Sequence, residues 1–144
     1  MESFAEILKD LVNEKELSLR KLGLECGFTS GQLSRWINGK YPTIDNAVKL
    51  AKYFNCSLDY LFGVSEEKNY SKYANDEYDF ALFLDRYKQT ITTNGLSHSQ
   101  FTRQSNLSES CLRDWKKGHK PLMDTMVIVA KNLSCSIDYL LGRI

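Results

Sequence analysis

The sequence predicts an all-α protein built from two copies of one domain of about 60 residues, and three observations carry that reading. Apolar residues recur at helical spacing, as Phe4, Ile7, Leu8 and Leu11 do, and no useful length alternates with period two. Small polar residues, glycines and prolines stand at intervals where helices start and stop. The chain also repeats itself: shifted by 79 positions, Phe4 to Gly63 lies on Phe83 to Gly142 without a gap. Trp36 then falls on Trp115, Gly39 on Gly118, Pro42 on Pro121 and Cys56-Ser57 on Cys135-Ser136. The endings Asp59-Tyr60-Leu61-Phe62-Gly63 and Asp138-Tyr139-Leu140-Leu141-Gly142 match as well.

Each copy reads as five short helices. The first carries the stripe from Phe4 to Leu11, and in the second copy Phe80, Phe83, Leu84, Tyr87 and Ile91. Ser18 and Ser97 are placed to cap the second helix, through a hydroxyl that accepts from a free amide of the first turn. Gly27 and Asn106 then supply the two residue types that most readily turn left-handed. Thr29 or Ser30 caps a third helix through Leu33 and Trp36 to Asn38, matched by Ser108 to Lys117, and Gly39 or Gly118 stops it. After Pro42, Thr43 caps a fourth helix with Ile44, Ala47, Val48, Ala51 and Phe54 inward; Met123, Met126, Val127, Ala130 and Leu133 correspond. Ser57 and Ser136 cap a short fifth helix.

The domains are expected at residues 1–63 and 79–144, joined by an acidic linker over 64–78. That linker holds Glu66, Glu67, Asp76 and Glu77 beside Tyr70, Tyr73 and Tyr78; it reads as a solvated tether, with the tyrosines as the argument for a docked segment. The net charge of +1 argues against a polyanion partner only until it is resolved by segment. Residues 1–63 carry eight basic and eight acidic side chains, 64–82 two and five, and 83–144 nine and five. Acidic charge is thus concentrated between the copies. No apolar run approaches a membrane span and no secretory leader is recognisable, so a cytoplasmic location with reduced cysteines is expected for Cys26, Cys56, Cys111 and Cys135.

Helix, tight turn and helix within about 20 residues, with small Gly23, turning Gly27 and core positions Leu22, Cys26, Leu33 and Trp36, is the geometry of a helix-turn-helix. The segment Leu33-Ser34-Arg35-Trp36-Ile37-Asn38-Gly39-Lys40-Tyr41-Pro42 and the ending Cys56 to Gly63 resemble the phage Cro and repressor type, or Xre, family. The fold this implies is two tandem five-helix lambda-repressor-like domains. In the second copy Thr102 replaces Gly23 and Ser105 replaces Cys26, which predicts looser packing of its second helix on its third.

The resemblance implies that the third helix enters the DNA major groove. Carried over by position, Thr29, Ser30, Gly31, Gln32 and Arg35 face bases, Arg35 foremost because a guanidinium fork matches guanine O6 and N7. Ser18, Lys21, Ser34, Asn38, Lys40 and Tyr41 face phosphates, which fix register without reading sequence. In the second copy the base-facing set is Ser108, Glu109, Ser110, Cys111 and Asp114. Ser97, Gln100, Arg113, Lys117, His119 and Lys120 lie toward phosphate there. Glu109 and Asp114 on a groove-facing surface are a departure, compatible with cytosine N4 or with protein contacts instead.

Double-stranded DNA is therefore the expected partner of a sequence-specific regulator of repressor type, its two readers tethered at high effective concentration. The alternative is a protein-interaction module on the same scaffold, antitoxin-like or partner-binding, with one copy serving a homodimer or a protein partner. Neither an enzyme nor a cofactor is expected. His98 and His119 occupy unrelated repeat positions without a ligand set or a nucleophile beside them, and phosphate-loop, Rossmann and zincin patterns are missing.

Overall fold

The computed structural model describes residues 3–68 and 77–144, and the chain divides into two compact units, Met1–Tyr70 and Ser71–Ile144. Among the described residues the regular structure is helical. The first unit contains α1 (Phe4–Glu14), α2 (Leu19–Cys26), α3 (Ser30–Ile37), α4 (Ile44–Phe54) and α5 (Leu58–Leu61). The second contains α6 (Phe83–Thr93), α7 (His98–Gln104), α8 (Cys111–Lys116), α9 (Met123–Leu133) and α10 (Ile137–Leu140), with a 3-10 turn at Phe80–Leu82 leading into α6.

In the first unit every helix start is fixed by a side-chain oxygen. Ser3, Ser18, Thr29, Thr43 and Ser57 each accept from the backbone N–H three residues on, which satisfies one of the otherwise orphaned amides of the first turn. Thr29, and not Ser30, caps α3, and it does so reciprocally: Gln32 Oε1 accepts from Thr29 N–H at 3.0 Å while Thr29 Oγ1 accepts from Gln32 N–H at 3.1 Å. α2 ends at Gly27, whose φ of 80° is open to glycine at no steric cost.

The first core is drawn from one face of each helix. Phe4, Leu8, Leu22, Ala47, Ala51, Leu58 and Leu61 are fully buried, and Leu33 and Trp36 nearly so. Trp36 meets Phe28 edge-on at 4.8 Å. Two sequence-based assignments change. Cys26 is only half-buried, whereas Leu50 and Val129, outside the expected stripes, are completely enclosed. The buried faces of α4 and α9 are therefore wider than the single stripe expected.

The second unit repeats the helix starts with an offset of 79 in α6, α7, α9 and α10, and Asn106 takes the left-handed conformation (φ 58°). Its third helix departs. Ser108 to Ser110 form a turn and α8 begins only at Cys111, so the expected helix from Ser108 to Lys117 is shorter at both ends. The reason is chemical: Cys111 stands where Gln32 closes the capping box, and a thiol cannot reach back to the Ser108 amide. The Ser108 hydroxyl bonds instead to that of Ser110, at 2.7 Å. An imidazole takes over the anchoring. His98 Nδ1 pairs with the hydroxyl of buried Tyr87 at 2.7 Å, and Nε2 meets the Glu109 carbonyl at 2.9 Å. Burial raises the pKa of the Tyr87 phenol, so the hydroxyl in this bridge is protonated.

The ends of the expected linker are not a free tether. The N–H groups of Val64 and Ser65 donate to the Asp59 carbonyl, and Lys68 pairs with Glu14 at 2.7 Å. On the other side Asp79 N–H donates to Leu141 O at 2.8 Å, and Lys120 donates to Tyr78 Oη at 2.5 Å. Tyr70, Tyr73 and Asp76, the remainder of the linker argument, lie outside the described residues.

Candidate nucleic-acid interface

What positions α3 is its close seat on α2. Gly23 is buried, and a Cβ there would lie 2.8 Å from the Phe28 carbonyl oxygen and 3.1 Å from Leu33 Cδ1. Only hydrogen fits at that crossing. The chain then turns through Gly27, returns its Phe28 N–H to Gly23 O at 3.0 Å, and starts α3 at the Thr29 cap. Leu33 and Trp36 hold the inner face, so the helix has one orientation and its outer face is set by default.

That outer face consists of Ser30, Gly31, Ser34, Arg35 and Asn38, all exposed. It carries one cation and no carboxylate. Arg35 folds back along the helix, its Nη1 lying 3.7 Å from where a Gly31 Cβ would be, and it makes no ion pair among the described residues. Gly31 thus leaves room for the guanidinium to swing over the first turn. Gln32 is half-buried, with its carbonyl oxygen committed to the capping box and its NH2 left to donate outward. Thr29 and Gln32 are therefore first of all structural, a role beyond the base contacts expected of them.

The expected phosphate set is partly engaged as well. Ser18 accepts from Lys21 N–H at 3.1 Å, and Lys21 Nζ lies 4.0 Å from Glu25. Glu25 is also held by the Tyr53 hydroxyl, a hydrogen bond that pushes the Tyr53 pKa up to about 12 and ties the carboxylate to α4. Asn38 Nδ2 donates to Ser34 O at 2.8 Å. Tyr41 packs edge-on against Phe4 at 5.7 Å and Phe62 at 5.6 Å, so its ring belongs to the core margin. Ser34 and Lys40 remain exposed.

Residues 8–61 are a helix-turn-helix domain. They match the Helix-turn-helix family, and the match runs from within α1 to the end of α5. No curated protein and no solved structure matches the chain. In this helix-turn-helix domain α2 and α3 are the two motif helices, and the exposed residues just described are the outer face of the second.

In the second unit the corresponding positions gather differently. Ser108, Glu109 and Ser110 precede α8 in the turn, Cys111 is half-buried at its start with its thiol 3.9 Å from His98 Nε2, and Asp114 is exposed. Burial raises the Cys111 pKa, so the group is a thiol at neutral pH. Ser97 and Gln100 close a capping box on each other, at 2.9 and 3.1 Å. Arg113, Lys117, His119 and Lys120 are exposed. Thr102, where Gly23 stands in the first unit, is buried and turns its hydroxyl onto the carbonyls of His98 and Ser99. Leu112 is only half-buried where Leu33 is enclosed, in line with looser packing of α7 on α8. The structural role of His98 was hidden in the sequence because its partners lie eleven positions away on both sides.

Among the described residues no group of three His, Cys, Asp or Glu side chains is placed to hold a metal ion, and no helix is long and apolar enough to cross a membrane.

Proposed function

We propose that the chain is a sequence-specific DNA-binding transcription regulator of repressor type, with α3 lying in the major groove and reading bases through Arg35. The observation that carries this reading is the uncovered, acid-free outer face of α3 with an unpaired guanidinium at its centre. A family of helix-turn-helix regulators provides the context. Arg35 supplies a bidentate donor for guanine, Ser30 and the Gln32 NH2 supply short-range donors, and Ser18, Lys21, Ser34 and Lys40 meet the flanking phosphates. The second unit is a second helix-turn-helix copy, supported by the 79-residue repeat and by helices at the repeated positions.

The test is enrichment from a random duplex pool followed by Arg35→Ala on the selected sequence. The variant loses about 1–3 kcal/mol on the selected duplex, roughly 5- to 150-fold, and its preference relaxes at one base position. Binding of both proteins with no sequence enriched overturns the reading.

A further inference from the structure

The two units differ in charge along the second half of the third helix and just beyond it. In the first, Ser34, Ile37, Asn38, Lys40 and Tyr41 include one cation. At the same positions of the second stand Arg113, Lys116, Lys117, His119 and Lys120, all exposed, four of them permanently charged. Arg113, Lys116 and Lys117 make no ion pair among the described residues. The base-facing positions change in the opposite sense: Ser30 becomes Glu109 and Arg35 becomes Asp114, both exposed carboxylates. The Ser108 and Ser110 hydroxyls are spent on each other, and α8 has six residues where α3 has eight.

Carboxylates driven to the floor of a groove approach both phosphate chains, whereas cations at its rim gain from every counterion they release. We infer that the second unit is a sequence-independent clamp on the DNA phosphate backbone, held by Arg113, Lys116 and Lys117, and that it does not read bases. The inference rests on the DNA-binding reading of the first domain and divides the work: specificity from α3, general affinity from the end of α8.

The experiment uses the full chain with Arg113→Gln, Lys116→Gln and Lys117→Gln combined, its helix content checked by circular dichroism. Binding to the selected duplex and to a scrambled duplex of equal length is followed by anisotropy from about 50 to about 200 mM salt. The clamp predicts a slope of log K against log salt that is shallower by about 2–3, close to one for each phosphate no longer neutralised. It also predicts the same fold loss on both duplexes and an unchanged sequence from the random pool. An unchanged slope overturns the clamp, and so does a shift in the selected sequence, which would make the second unit a base reader. Failure of the first-domain reading has a separate signature: no enrichment by the unaltered chain, or indifference to Arg35→Ala.

Discussion

Replacing Trp36 by alanine is expected to unfold the first unit near ambient temperature. The indole is 3% exposed, sits at the inner face of α3 and packs edge-on against Phe28. Truncating a buried tryptophan costs about 3–5 kcal/mol, from forfeited transfer free energy and the cavity left behind. A folded unit of this size holds roughly 3–9 kcal/mol in total, so most of its margin disappears. Chemical denaturation followed by circular dichroism reads the loss directly, with Trp36→Phe costing less because a ring still fills part of the site. In this variant Trp115 is the remaining tryptophan. It is buried among Phe83, Tyr87 and His98, so its fluorescence reports on the second unit by itself.

Gly23→Thr is expected to cost about half as much, although the second unit carries threonine at the repeated position. A Cβ at residue 23 meets the Phe28 carbonyl at 2.8 Å, and that carbonyl is backbone in the turn that launches α3. Relief requires the whole helix to move. Overpacking of this kind costs about 1–3 kcal/mol and occasionally more, against which threonine in place of glycine in a helix returns about 0.5 kcal/mol. A net loss of about 2 kcal/mol in a denaturation curve is the expected result. Because α3 is displaced, specific DNA affinity falls further than stability alone accounts for. The reverse change, Thr102→Gly, relieves no clash; it forfeits about 0.5 kcal/mol of helix propensity and empties the space of a buried methyl, for a loss of about 1–2 kcal/mol.

How much of this was legible beforehand follows from where the determining interactions lie. Starts and stops set within four residues were readable: Ser18, Thr43, Ser57, Ser97 and Ser136 cap as their positions imply, and Gly27 and Asn106 turn left-handed. The choice of Thr29 over Ser30 is decided by Gln32, again a local matter. The short α8 was less visible, since the repeat itself argued for a helix from Ser108 while a single exchange, cysteine for glutamine, removed the cap. Interactions across the fold were not readable. His98 joining Tyr87 to Glu109, Tyr53 holding Glu25, and Tyr41 packed on Phe4 and Phe62 all depend on helices meeting in space. The candidate site shows the same division. Its outer face on α3 follows from helical period, but which of its side chains are already committed, as Gln32 and Asn38 are, depends on hydrogen bonds set by the folded backbone.

In the proposed complex α3 of the first domain meets DNA with the face that the core leaves outward. Backbone amide chemical shifts of the intact chain, recorded while a selected duplex is added, test it residue by residue. The largest shifts in the first unit are expected on Ser30 to Arg35 and on Ser18 to Lys21, with α5 nearly unmoved. Shifts centred on α4 and α5, with α3 unaffected, would contradict it.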